Sequence, residues 1–312
     1  MKKYNKYVIP TVVFSAAFYV ALSFYGDWEK IVALFRSFEL SVVPLLLLLS
    51  LANYFTRFLK WHYYLRTVTK DVSFGESFFV FHSALALSFS PGKVGDLIKS
   101  LFLKESHNLE ISKTASIVLV ERITDFTSLL LISVAGAFAY NYGRDAVLTV
   151  SLFFLILIVL LSVPSLGKKI ISIFGKVEFL KKALAPFETA YETSNQLLAP
   201  SRLITMTLLS LLAWFFECLG FYIILINFKV QISLFGASFI YAFSTIIGAV
   251  TMAPAGIGFT EGSLTFLLME YGSPKDAAVA ATLLVRLVTL WFAVVVGLAN
   301  LFAYKFYKKK KN

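Results

Sequence analysis

The chain has 312 residues, 58% of them hydrophobic and 15% charged, with 32 Phe and a formal net charge of +11. So little polar surface excludes a soluble globular protein and places residues 1–312 in a lipid bilayer as a single membrane domain. One cysteine, Cys218, excludes an internal disulfide and a thiolate metal site. His62, His82 and His107 lack ligand spacing and read as interfacial or core side chains, so no metal or cofactor is expected.

Taken in chain order, Lys2, Lys3 and Lys6 precede an apolar run at 8–25. The run exceeds a signal-peptide h-region and reads as a retained first span, with cleavage near Ala21-Leu22-Ser23 as the alternative. Asp27 and Glu29 follow in a short acidic loop. A first unit is expected over 40–141, with spans at 40–59 and 114–140 around a broken hydrophobic stretch at 76–105. A linking span at 146–163 leads into a basic segment, 164–202. Within it, 168–185 mixes lysines with Ile170, Ile171, Ile173, Phe174, Val177, Phe179 and Leu180. That pattern reads as an amphipathic helix on the cytoplasmic leaflet, or else as a solvated linker. The second unit, 203–305, repeats the first order: span 203–226, broken stretch 236–270, span 277–304.

The two broken stretches carry one motif twice. Ser90-Pro91-Gly92-Lys93-Val94-Gly95-Asp96 and Ala253-Pro254-Ala255-Gly256-Ile257-Gly258 each place a glycine four residues after a proline, and an arginine follows at nearly equal spacing, Arg122 and Arg286. Lys and Arg belong in cytoplasmic loops. With the N-terminus inside and both broken stretches taken as re-entrant hairpins, only Lys30, Arg36, Arg144, Lys229 and Lys275 fall outside. Arg57, Lys93, Arg122 and Arg286 lie within or beside apolar segments, and the remaining basic residues, Lys60 and Lys99 included, fall inside. The expected fold is therefore all-α: about six transmembrane helices plus two Pro/Gly-broken hairpins, in two units of inverted topology whose tips meet near the midplane. Both termini are then cytoplasmic, in the cell membrane.

Helix ends at membrane depth offer unpaired N–H groups and partial positive charge, so Gly92, Gly95, Gly256 and Gly258 mark places where an anion and backbone could meet; packing kinks are the competing reading. Glu121, Arg122 and Asp125 form the densest intramembrane charge cluster. Charges there must pair, face a wet cavity or bind a ligand. Arg122 then either bridges the two acids as structural glue or grips an anionic headgroup. Lys93, Asp96, Glu261 and Arg286 complete the set. Arg57, with Lys60, Trp61 and Arg66, reads as an interfacial anchor, with lipid phosphate as its functional alternative. No hydrolase, zinc-protease, P-loop or dinucleotide motif is present.

These residues resemble the lysylphosphatidylglycerol synthase transmembrane-domain family of flippase-like proteins. The likeness rests on Arg57 and Trp61; on Pro91 to Asp96 with Lys99; on Glu121-Arg122 with Asp125; and on Pro254 to Gly258 with Glu261. The family often has Arg and Glu where this chain has Lys93 and Asp96, which keeps the charge. The resemblance implies a lipid flippase without the soluble aminoacyl transferase that accompanies the domain in the bacterial synthase, so lipid aminoacylation is not implied.

The sequence-based expectation is translocation of an anionic, phosphate-bearing phospholipid or polyprenyl-phosphate-linked headgroup, not catalysis. Lys93, Arg122, Arg286, Arg57 and the four glycines would bind it, while Asp96, Glu121, Asp125 and Glu261 would shape the pathway or couple protons. Membrane lipid is the expected partner, with a lipid-synthesising enzyme as a second and no nucleic acid. Two alternatives stand beside this: a secondary transporter of a small soluble anion, and a polyprenol-dependent glycosyltransferase requiring Asp27.

Overall fold

The computed structural model describes residues 18–22, 24–90, 95–140 and 184–311, with isolated positions at 148, 149, 152 and 156. The linking span, the basic stretch 168–183, the first tip's Pro91, Gly92, Lys93 and Val94, and most of the first span lie outside the described residues. Every regular element among the described residues is helical.

Residues 18–22 are helical and lead to α1, Trp28–Ser37. The Asp27 carboxylate starts α1 by accepting from the backbone N–H groups of Glu29 and Lys30 at 3.1 and 3.4 Å, as an N-cap should. A tight turn at Leu40–Val42 enters α2, Val43–Val68, with a proline in its first turn. The first broken stretch is α3, Phe74–Ala84, extended by a tight turn at Leu85–Leu87, followed after the tip by α4, Ile98–His107. Ser73 caps α3, and Asn108 closes α4 in the left-handed region at φ 53°. The 30-residue α5, Ile111–Tyr140, completes the first unit.

After α6, Leu184–Leu197, the second unit runs α7, Pro200–Asn227, then α8, Leu234–Val250, the second tip, and α9, Phe259–Glu270. It ends in α10, Lys275–Arg286, a π-turn at Leu287–Trp291 and α11, Phe292–Lys311. Among the described residues, three continuous helical stretches, Leu40–Val68, Pro200–Asn227 and Lys275–Tyr304, are long and apolar enough to cross a membrane. Leu45, Leu48, Leu51 and Phe55 on α2 and Val295, Leu298, Phe302 and Phe306 on α11 are exposed. Such outward apolar faces suit hydrocarbon, and the chain is an integral membrane protein.

The units exchange partners. α2 packs along α7, α5 of the first unit lies against α8 of the second, and α11 of the second lies against α3 of the first. Two glycines permit the crossed contacts. A Cβ on Gly136 of α5 would come within 2.4 Å of Phe239, and one on Gly297 of α11 within 2.0 Å of the Ala86 nitrogen. The largest core gathers around Trp214, Phe221, Phe239 and Leu264, a second around Phe58, Trp61, Phe81 and Leu103, and a small third joins Tyr54, Leu85 and Ala293.

Three expectations are corrected. α2 does not stop near residue 59 but continues to Val68. Lys60 and Trp61, expected at an interface, are 1% and 0% exposed. Lys99, expected in a cytoplasmic loop, is likewise buried. In each lysine's case an internal carboxylate supplies what water would have supplied. The described end of the basic segment, α6, packs against α5, with the Ser116 hydroxyl donating to the Ala190 carbonyl at 2.9 Å.

Candidate functional site

The middle of α5 holds Glu121, Arg122, Thr124 and Asp125 within little more than one turn, and the i,i+3 and i,i+4 spacings make their side chains neighbours on one side of the helix. Asp125 is held twice on one oxygen: Lys60 Nζ donates to its Oδ1 at 2.5 Å and the Ser210 hydroxyl at 3.0 Å. Lys60 also donates to Thr124 Oγ1 at 3.1 Å and to Ser210 at 2.6 Å. On the other oxygen, Arg57 approaches Oδ2 at 3.5 Å and Arg122 at 3.9 Å. Glu121 turns the other way to Lys99, 2.7 Å distant, whose ammonium lies 4.2 Å from the centre of the Trp61 ring. Arg122 also donates to Asp96 at the start of the first hairpin's return arm.

The second unit reproduces part of this plan. Arg286, at the end of α10, donates from Nε to Glu261 Oε1 at 2.7 Å and from Nη2 to the Ala255 carbonyl at 2.8 Å. Glu261 sits in the first turn of α9 and is fully buried. Its Oε2 accepts the Gly258 N–H at 2.8 Å, and the Tyr19 hydroxyl donates to Oε1 at 3.0 Å. Each unit thus sends an arginine from its fourth helix to a carboxylate shortly after its own Pro/Gly tip.

The glycines corrected one expectation. The tips were expected to offer free backbone donors, yet the Gly95 N–H donates to Ser90 Oγ at 2.7 Å, the Gly256 N–H to the Ala253 carbonyl at 2.9 Å, and the Gly258 N–H to Glu261. Gly256 and Gly258 do take positive φ, 68° and 89°, and a Cβ on Gly95 would sit 2.5 Å from the Leu87 carbonyl. Their service is to the turn itself.

Both halves of the plan face one cavity of about 270 Å³. Arg57, Asp96, Arg122 and Asp125 line it from the first unit, and Gly256 and Arg286 from the second, with Glu217, Tyr54, Trp214 and Tyr241 between them. Met252, at 67% exposure, stands at its rim. Lys60, Lys99, Glu121 and Glu261 stand behind this wall and neutralise it from within. Small, partly open and studded with charged side chains on a largely apolar wall, the cavity can take a charged group out of the hydrocarbon.

The family described as Lysylphosphatidylglycerol synthase TM region matches residues 8–297. The chain belongs to this family. Its relatives include a UPF0104 membrane protein of Methanocaldococcus jannaschii, 25% identical over 213 residues that make up 67% of this chain and 90% of the relative. Another, from Pyrococcus horikoshii, is 23% identical over 322 residues covering 94% and 95% of the two chains. Membership in this family marks the chain as a membrane protein with a lipid-related role.

Sequence reading missed Glu217, Tyr241, Tyr54 and Trp214 in this family member. Glu217 stands alone among apolar residues of α7, with no charged neighbour to flag it, and accepts from the Tyr241 hydroxyl at 2.6 Å. A lone acid inside a spanning helix was the available signal. Tyr54 donates to the Thr289 carbonyl, 2.5 Å away, in the π-turn, whose altered pairing no composition announces. Among the described residues no group of His, Cys, Asp and Glu has metal-binding geometry.

Proposed function

We propose that this protein is a flippase-type transporter that carries a phosphate-bearing lipid headgroup between leaflets while the acyl or prenyl tail stays in the bilayer. The observation that carries the reading is the shared cavity: Asp96 and Arg122 of the first unit and Gly256, Thr260 and Arg286 of the second converge on it. A phosphate is the natural guest of arginines already desolvated by protein, because the guanidinium fork matches its oxygens. Family membership favours a lipid over a soluble anion, and the exposed Met252 at the rim gives a tail an apolar exit.

The layout proposed for this activity is two inverted repeats with re-entrant hairpins. It is supported by the exchanged packing of α5 on α8 and α11 on α3. It is supported also by length: α4 and α9, of 10 and 12 residues, reach only about 15–18 Å, half of a hydrocarbon core of about 30 Å. Both termini would be cytoplasmic, and a lipid-synthesising enzyme would supply the substrate. The activity is movement without bond making. Asp27, the residue a glycosyltransferase would need, is instead occupied in capping α1 and pairing with Lys30 at 3.2 Å.

The test is reconstitution in vesicles containing a trace of phosphatidylglycerol that carries a dithionite-bleachable dye on one acyl chain. Active protein lets the reagent bleach the dye of both leaflets, where empty vesicles lose only the outer signal. No added bleaching, together with release of trapped radiolabelled phosphate, would replace the lipid reading with a soluble-anion transporter.

A further inference from the structure

The matched arginines are equivalent in spacing and different in surroundings. Arg286 spends Nε on Glu261 and Nη2 on Ala255. Glu261 is 0% exposed and takes three donors in all: Arg286, Gly258 and Tyr19. A ligand reaching for Arg286 would have to leave a fully enclosed carboxylate beside it without its cation, which is among the costliest changes a buried site can undergo.

Arg122 is in the opposite condition. Its side chain is 20% exposed and that of Asp96 15%. Asp96 engages the guanidinium through Nη2, while the neighbouring Nε is buried and has no hydrogen-bond partner among the described residues. The side-on edge of the guanidinium, Nε with Nη2, is therefore half used. A phosphate carries two oxygens at the spacing this edge requires. Displacing Asp96 would turn its carboxylate toward the cavity and not into apolar protein. Asp125 would not be orphaned by the exchange, since Lys60 and Ser210 hold its other oxygen. Arg57 lines the same cavity, 3.5 Å from Asp125 and 5.9 Å from the centre of the Trp214 ring.

We infer that Arg122, with Arg57 beside it, is the seat for the substrate's phosphate group, that Asp96 is the carboxylate this phosphate displaces, and that Arg286 and Glu261 are a fixed strut. The assignment rests on the transport reading of the cavity and divides the labour within it. Asp96 then works as a competitor: it keeps Arg122 neutralised when the cavity is empty and drives the phosphate off when the cavity must be cleared.

The experiment measures binding of water-soluble dihexanoyl phosphatidylglycerol and, separately, of inorganic phosphate to the full-length protein in detergent, with melting followed on each sample. Arg122→Gln is expected to weaken lipid binding by about tenfold or more in protein that still melts cooperatively. Asp96→Asn is expected to tighten binding several-fold while slowing transport in vesicles. Arg286→Gln is expected to melt early and, in the folded fraction, to weaken binding far less than Arg122→Gln. Weaker binding in Asp96→Asn, or a folded Arg286→Gln with the same loss as Arg122→Gln, would overturn the assignment. If Arg122→Gln does not fold, the sign of the Asp96→Asn effect decides alone. Inorganic phosphate binding as tightly as the lipid, with the same response to Asp96→Asn, would keep the seat and discard the lipid substrate. No binding of either probe would discard both.

Discussion

The two ends of the central cavity solve the same problem by different means. Around Asp125, three cations (Arg57, Lys60 and Arg122) share two carboxylates (Asp125 and Asp96), and the Lys99–Glu121 pair adjoins them, so that α2, α4, α5 and the turn before α4 all contribute. Around Glu261, one carboxylate and one guanidinium are enclosed with a tyrosine and a backbone N–H. The first arrangement is redundant, so one contact can be given up while the others hold the charge. The second is saturated, and any loss leaves a charge stranded. Equal motif spacing does not make equal roles; what surrounds the arginine decides whether it can trade partners.

Removing the hub of the redundant end gives the largest effect. Asp125→Ala leaves Lys60 buried with its carboxylate gone, and we expect a loss of about 3–5 kcal/mol, read by denaturant unfolding in detergent. Next, Glu261→Gln should cost about 2 kcal/mol and Asp96→Asn less than about 1 kcal/mol. Equal losses in these two would erase the contrast between the ends. The crossed helix contacts come third. Gly297→Ala should be the more damaging of the pair, at about 1–3 kcal/mol, because its Cβ meets the Ala86 backbone, whereas Gly136→Ala meets the Phe239 Cβ first.

The smallest effect lies outside both ends. Lys30, through its hydrogen bonds to Asp27, holds that carboxyl below its usual range. A carboxyl whose folded value is depressed stabilises the fold above its unfolded value, and this help disappears as pH falls through the folded one. Asp27→Ala should therefore lower the melting temperature slightly at neutral pH, leave it unchanged in strong acid, and spare transport. Lost activity at an intact melting temperature would revive catalysis at Asp27.

Much of this was legible in the residues. The two Pro/Gly tips, the arginines behind them and the acids at 121 and 125 stand out because charge and glycine are rare in apolar sequence. The partners of those charges did not stand out. Lys60 and Lys99 look like loop lysines because Asp125 and Glu121 lie 65 and 22 residues further along the chain, and only the fold joins them. For the same reason α2 seemed to end at the lysine that in fact continues it. The difference between Arg122 and Arg286 was equally hidden: it depends on Tyr19, far away in sequence, reaching Glu261.

The exchange of helices between the halves also sets a timetable for biogenesis. α3 leaves the ribosome early, yet the helix that covers it, α11, follows only much later. Roughly 200 residues separate them, and at ordinary rates of translation that is a wait on the order of 10–40 s. Through that interval α3, with its buried Ser77, His82 and Ser83, stands without its final neighbour. A nascent chain of this kind depends on the insertion machinery to shelter a half-built polar interior, and truncation near the C-terminus would harm the first hairpin before any other part.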